Sequence, residues 1–306
     1  MGVAVTHGEV PGVAAMVVSA DQTLYSGAFG ERELGSGREM DINSVAAIAS
    51  MTKAITSTAV LQLVEQGRLS LDAPAAEVVP YLGEAQVLAG FDNRGAPILR
   101  KPRTLITLRH LLTHSAGFGY EMWNEEIKRY DAVTGTISSR SRTLAGFQKP
   151  LLFDPGDRWN YGINTDWAGL MVEAVSGQRL GHYLAEHVLT PMGMTSTTYR
   201  PGGDLKCRLA TLHHRDEDGS IAVGKAMPPG EVDSGGGGLY STAADYSRFC
   251  QMVLNQGTPD SADMGDRNHD PIPGTTRPWI GLALSDDPSR QLQWQWERQC
   301  HEDWAK

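Results

Sequence analysis

Cysteine is nearly absent. The three in 306 residues, Cys207, Cys250 and Cys300, lie too far apart for a disulfide framework or a C-x-x-C metal site. That usage fits a reducing compartment, and a cytoplasmic protein is expected. Long hydrophobic runs are missing as well: the apolar run Gly12 to Val18 falls far short of the roughly 20 residues that cross a bilayer. No Lys or Arg precedes Arg32, so a basic-headed signal peptide is not expected. Nor is there an excess of positive charge. With 27 Lys and Arg against 36 Asp and Glu the net charge is −9, which argues against a general nucleic-acid binder, because neutralising phosphates takes clustered cations. The one dense basic patch, Arg100, Lys101 and Arg103, reads as a solvated loop. The expected partner is a small molecule, with no nucleic acid and no membrane.

What is present is ordinary globular composition, 41% hydrophobic and 21% charged, enough to bury a core. Gly12 to Ala20 and Thr23 to Gly30 are β-rich runs parted by Asp21 and Gln22, which predicts a hairpin. Helical periodicity runs from about Ala49 to Gln66, with Gly67 where a C′ residue belongs. Shorter helices are expected over Thr107 to Thr113, Asn164 to Val175 and Leu180 to Leu189, the second closed by Ser176-Gly177. Four glycines, Gly235 to Gly238, precede a last helix from about Ala243 to Gln256 with Ser241 or Thr242 as N-cap. After Gly257 the character changes: residues 258–306 hold only five Ile, Leu or Val residues yet four of the seven tryptophans. The expected division is a domain over 1–257 and an atypical tail over 258–306, of the kind a truncation or frame shift would leave.

No G-x-S-x-G, H-E-x-x-H, Walker or G-x-G-x-x-G motif is found. Ser50-Met51-Thr52-Lys53 is the single S-x-x-K, and it opens the best helix. Residues three apart share a helix face, about 5 to 6 Å apart at Cβ, so the lysine amine can reach the serine hydroxyl. To act as a base, lysine must be neutral, which means lowering its pKa from about 10.4 toward 7, at roughly 4 to 5 kcal/mol. Alternatively it stays charged and favours the phenolate of a neighbouring tyrosine, which then takes the proton.

An ordered set of segments carries a family resemblance. They are Val10-Pro11-Gly12, Ser50 to Lys53 with Gly67 to Asp72, Leu111 to Gly117, Pro155-Gly156 leading to Tyr161, Pro191 to Met194, and Gly236 to Leu239 with Ser241-Thr242. In these the sequence resembles the serine β-lactamase and penicillin-binding-protein superfamily, in its class C-like branch, and within that the family VIII carboxylesterases. The resemblance covers roughly residues 10 to 257. It implies an α/β fold of the β-lactamase/transpeptidase type: a helical lobe packed on an antiparallel sheet, with the C-terminal strands incomplete here. It further implies Ser50 as acylated nucleophile, Lys53 as its proton partner, Tyr161 as second base, and the Ser50 backbone amide as half of an oxyanion hole.

Two departures shape the reading. Where class C enzymes carry an asparagine two places after the tyrosine, Ile163 stands here and Asn164 follows it. This tilts the expected substrate toward an ester. The Lys-Thr-Gly strand, or the Trp-Gly-Gly or His-x-Gly of esterases, is not found, and Trp279-Ile280-Gly281 is the nearest stand-in. The leading expectation is a serine carboxylesterase cleaving short-chain esters through an acyl-enzyme, with no metal or organic cofactor. The alternatives are a β-lactam or D-amino peptide hydrolase using the same residues, and a non-catalytic protein of this fold lacking the third motif. Phe118, Tyr120 and Asn164 are the candidate substrate-binding residues, with Trp123 beside them. His114 is expected to be structural, and the run His213 to Asp218 a solvated turn rather than a metal cluster.

Overall fold

The two β-rich runs pair as an antiparallel hairpin, Gly12–Val18 with Thr23–Gly30, in a register that sets Gly12 opposite Gly30 and Val18 opposite Thr23. Two strands alone do not bury a face. Here the helix Ala243–Leu254 packs across the first strand, and Asn255 Nδ2 donates to the Ala20 carbonyl at the hairpin turn. The computed structural model describes residues 1–225 and 230–257. Trp279-Ile280-Gly281 and the rest of the tail lie outside the described residues. Among the described residues the strands form two-stranded antiparallel pairs, and the remainder is largely helix and loop.

The core sits where the helix Thr52–Glu65 meets the helices Asn164–Ser176 and Leu180–Leu184. Ile55, Ala59, Val60 and Leu63 recur at helical spacing and are fully buried, against Trp167, Ala168 and Val172 from the facing helix. Trp167 stacks on Tyr81 at 4.9 Å and on Phe118 at 6.0 Å. Both principal helices end as their glycines predict: Gly67 and Gly177 adopt φ of 69° and 73°, left-handed values that glycine takes without strain. Thr107 and Thr242 cap their helices through side-chain oxygens that accept from His110 N and Asp245 N.

Three local expectations are corrected. The helix expected from Ala49 begins as a 3₁₀ turn, Ala49–Met51, and becomes α-helical at Thr52. The segment Leu180 to Leu189 is α-helical only to Leu184, then widens into a π-helical turn over Ala185–Leu189. The basic patch is no free loop: Arg100 donates to both oxygens of Asp154 at 2.8 Å, and Arg103 donates to the same carboxylate at 2.6 Å. The side chain of Asp154 is 2% exposed, and these guanidinium donors hold its carboxyl well below the usual carboxylate range. The clamp fixes the Asp154-Pro155-Gly156 turn that leads to Tyr161. No helix among the described residues is long and apolar enough to cross a membrane.

Candidate active site

Ser50 stands on the 3₁₀ turn ahead of the core helix, and the backbone on both sides of it is clamped to one residue. Ile48 N donates to the Leu239 carbonyl (3.0 Å), and Leu239 N donates to Thr52 Oγ1 (3.2 Å). Between these ties Ala49 adopts φ 44°, a left-handed conformation that costs a residue with a Cβ about 1 to 2 kcal/mol. The Ser50 hydroxyl caps no helix; it accepts a 2.8 Å hydrogen bond from Tyr161 Oη.

Lys53 lies one turn further on and is 9% exposed. Its Nζ donates to the Gly236 carbonyl at 2.6 Å, to Ser50 Oγ at 3.4 Å and to Tyr120 Oη at 3.5 Å. Three acceptors match the three N–H bonds of an ammonium. The same Nζ lies 4.7 Å from the centroid of the Tyr161 ring, where a cation is attracted to the ring face.

The four glycines prove to be the floor under this lysine. The carbonyl of Gly235 accepts from Thr56 Oγ1 at 3.0 Å, and Gly236 N donates to Asp166 Oδ1 at 3.0 Å. A Cβ on Gly235 would lie 2.6 Å from the Thr165 carbonyl oxygen, and one on Gly236 2.4 Å from Asp166 Oδ2. Asp166 is 3% exposed and also accepts from Ser234 Oγ at 2.5 Å. Burial pushes its carboxyl pKa up, against the opposing pull of Lys53 and of these two donors. The run of glycines signalled a close approach of backbone; its role as the nearest partner of Lys53 was not legible in sequence.

Behind Tyr161 stands His114. The two rings are 4.8 Å apart, and His114 Nδ1 is 3.0 Å from Asn164 Nδ2. Burial first, and the charge of Lys53 second, push the imidazole pKa down to about 3. His114 is thus neutral near pH 7. Because the unfolded chain binds a proton here as pH falls through about 6.5 and the folded chain does not until about 3, folding stability falls across that interval as pH drops. Between pH 7 and pH 5 the native protein is expected to lose about 2 kcal/mol more stability than His114→Gln, read from urea unfolding at the two pH values. Equal losses in the two proteins would reject the assignment.

Ser50, Lys53, Tyr161 and Tyr120 are brought together; the other two candidates are not. Phe118 is fully buried with its ring against Trp167, so it faces the core rather than the opening. Asn164 is also fully buried, with its Nδ2 against His114 Nδ1, and Ile163 lies in the core. Tyr120 is partly buried, and burial raises its phenol well above the usual value. Among the described residues no group of three His, Cys, Asp or Glu residues is arranged to hold a metal ion. His213–Arg215 and Ile221–Val223 form a small hairpin instead.

The family model described as Beta-lactamase matches residues 3–297. The chain belongs to the beta-lactamase family. Within that family it is similar to lovastatin esterase of Penicillium rubens, 34% identical over 263 residues that cover 82% of this chain and 66% of that protein. It is also similar to monacolin J acid methylbutanoyltransferase of Aspergillus terreus, 33% identical over 281 residues covering 85% of this chain and 67% of the relative. Among solved structures it resembles a mutant simvastatin synthase from Aspergillus terreus, with a TM-score of 0.77 and 32% identity over 83% of this chain and 63% of that one. The chain thus spans about two thirds of the length of the relatives it matches. The fold is of the β-lactamase/transpeptidase type, with helices and antiparallel strands mixed as the sequence motifs implied.

Proposed function

We propose that this protein is a serine hydrolase that cleaves carboxylic esters through a covalent acyl-enzyme on Ser50. The observation that carries the reading is the 2.8 Å contact of Tyr161 Oη with Ser50 Oγ, beside the buried amine of Lys53. It favours the second of the two roles open to Lys53. An amine held by the Gly236 carbonyl and facing the Tyr161 ring is placed to favour a phenolate if it carries its charge, and on this reading Tyr161 rather than Lys53 is the base. The phenolate takes the Ser50 proton as Oγ bonds to the ester carbonyl carbon. The Ser50 N–H, in a first helical turn where amides lack a carbonyl four residues back, donates to the developing oxyanion. The bond to the alkoxy oxygen then breaks, Tyr161 returns the proton to that oxygen, and an acyl ester remains on Ser50. Water, deprotonated by Tyr161 in turn, bonds to the acyl carbon; the bond to Ser50 Oγ breaks, Tyr161 returns the proton to Oγ, and the acid is released.

A second reading, transfer of the acyl group to another alcohol, is favoured by the likeness to the Aspergillus terreus methylbutanoyltransferase. Both share the acyl-enzyme. The test is labelling with a fluorophosphonate followed by rates on p-nitrophenyl butyrate and nitrocefin. An adduct on Ser50 with turnover of the butyrate ester is expected. Preference for nitrocefin would move the assignment to β-lactam hydrolysis, and a folded protein that takes no label would make it non-catalytic. Added butanol that diverts product from butyrate to butyl butyrate would identify the transferase reaction.

A further inference from the structure

Two tryptophans beside the reacting groups are left in solvent. Trp123 is 62% exposed and Trp159 is 50% exposed, although tryptophan is among the residues most buried on average. They come from segments 36 residues apart and meet at the same ring: the Trp123 centroid lies 5.3 Å from that of Tyr161, and the Trp159 centroid 6.3 Å from it in a stacked arrangement. Trp123 also meets the Tyr120 ring edge-on at 5.4 Å, and Trp159 meets His114 at 6.4 Å. Met51, in the nucleophile turn, and Met122, next to Trp123 in the chain, are each 47% exposed. With a tryptophan side chain presenting about 250 Å² at most, the two indoles keep roughly 250 Å² of flat apolar area open at the site. Apolar surface held open beside a few convergent polar groups is the mark of a ligand wall.

We infer that Trp123 and Trp159 form an aromatic wall that binds the alcohol portion of the ester and selects bulky, apolar, ring-bearing alcohols. The inference rests on the reading of Tyr161 as the residue that returns the proton to the leaving oxygen. For that transfer the alkoxy oxygen must come within about 3 Å of Tyr161 Oη. Whatever is attached to that oxygen then lies along the open surroundings of Tyr161; of the rings around it, His114 and Tyr120 are partly buried, and the two indoles are the exposed ones. The acyl chain is joined to the carbonyl carbon by a different bond, so this constraint acts on the alcohol portion alone. The same wall receives the acceptor alcohol if the acyl group is transferred rather than hydrolysed.

Ethyl butyrate and cyclohexylmethyl butyrate test this. Both leave as primary alkoxides and both give the same butyryl-enzyme, so the ratio of their kcat/KM values reports contacts to the alcohol alone. The native protein is expected to favour the cyclohexylmethyl ester, and Trp123→Ala and Trp159→Ala are each expected to lower that ratio about tenfold. A ratio unchanged in both variants would overturn the inference, including the case in which both esters slow equally because the indoles only support Tyr161. If no ester is turned over and Ser50 takes no label, the catalytic reading has failed by itself. The wall is then judged by calorimetric titration of Ser50→Ala with cyclohexylmethyl butyrate: binding weakened about tenfold by each tryptophan substitution upholds it, and absent or unaltered binding ends it.

Discussion

Ser50→Ala is expected to lower turnover of p-nitrophenyl butyrate by about 10⁴-fold or more and to abolish covalent labelling, while Tyr161→Phe lowers turnover by about 10² to 10⁴-fold. The asymmetry follows from what each group does. Without the Ser50 oxygen no acyl-enzyme exists. Without the Tyr161 hydroxyl the nucleophile remains, but the atom 2.8 Å from it, the proposed carrier of its proton, is gone. Groups that act as a unit are not additive, so Ser50→Ala/Tyr161→Phe is expected to be no slower than Ser50→Ala. The same logic separates the two basic groups. If Lys53 acts as an ammonium, Tyr161→Phe must be crippled at every pH. A Tyr161→Phe protein retaining more than half of native turnover would assign the base to Lys53 and reject the phenolate.

Gly236→Ala is expected to cost about 3 kcal/mol of stability and about 10²-fold in turnover, whereas Gly237→Ala leaves both near native values. The two glycines are neighbours in a run that sequence alone treats as uniform. A Cβ on Gly236 would lie 2.4 Å from Asp166 Oδ2 and 2.9 Å from its Cγ, and a carboxylate held by Ser234 Oγ and Gly236 N has nowhere to retreat. A Cβ on Gly237 would have nothing nearer than the Ala49 carbonyl carbon at 3.8 Å, an ordinary contact. Displacing Gly236 also displaces the carbonyl on which Lys53 rests at 2.6 Å, which carries the packing fault into the chemistry. Urea unfolding and kcat measured on the two variants check this, and equal behaviour of the pair would refute it.

Elements whose signal repeats every few residues were legible in the chain itself. The hairpin, the core helix with its apolar face, the cap at Thr242 and the stops at Gly67 and Gly177 all depend on local geometry. Loops carry no such period, and the misreadings of which partner a side chain meets lie there. Phe118 and Tyr120 are two apart in one glycine-rich loop, and nothing in their spacing says that the first enters the core while the second reaches Lys53. Arg100 and Arg103 read as solvated cations because their partner, Asp154, is some 50 residues away.

The chain by itself determined that a serine and a lysine share one face at the start of a buried helix, because three residues make nearly one turn whatever surrounds them. Only the tertiary structure decided which side chains meet them. Tyr161, 111 residues distant, is delivered by a clamped turn and backed by His114, and the Gly236 carbonyl holds the lysine from the opposite side. Contacts across such separations are set by how helices and loops pack, not by the spacing of residues along the chain.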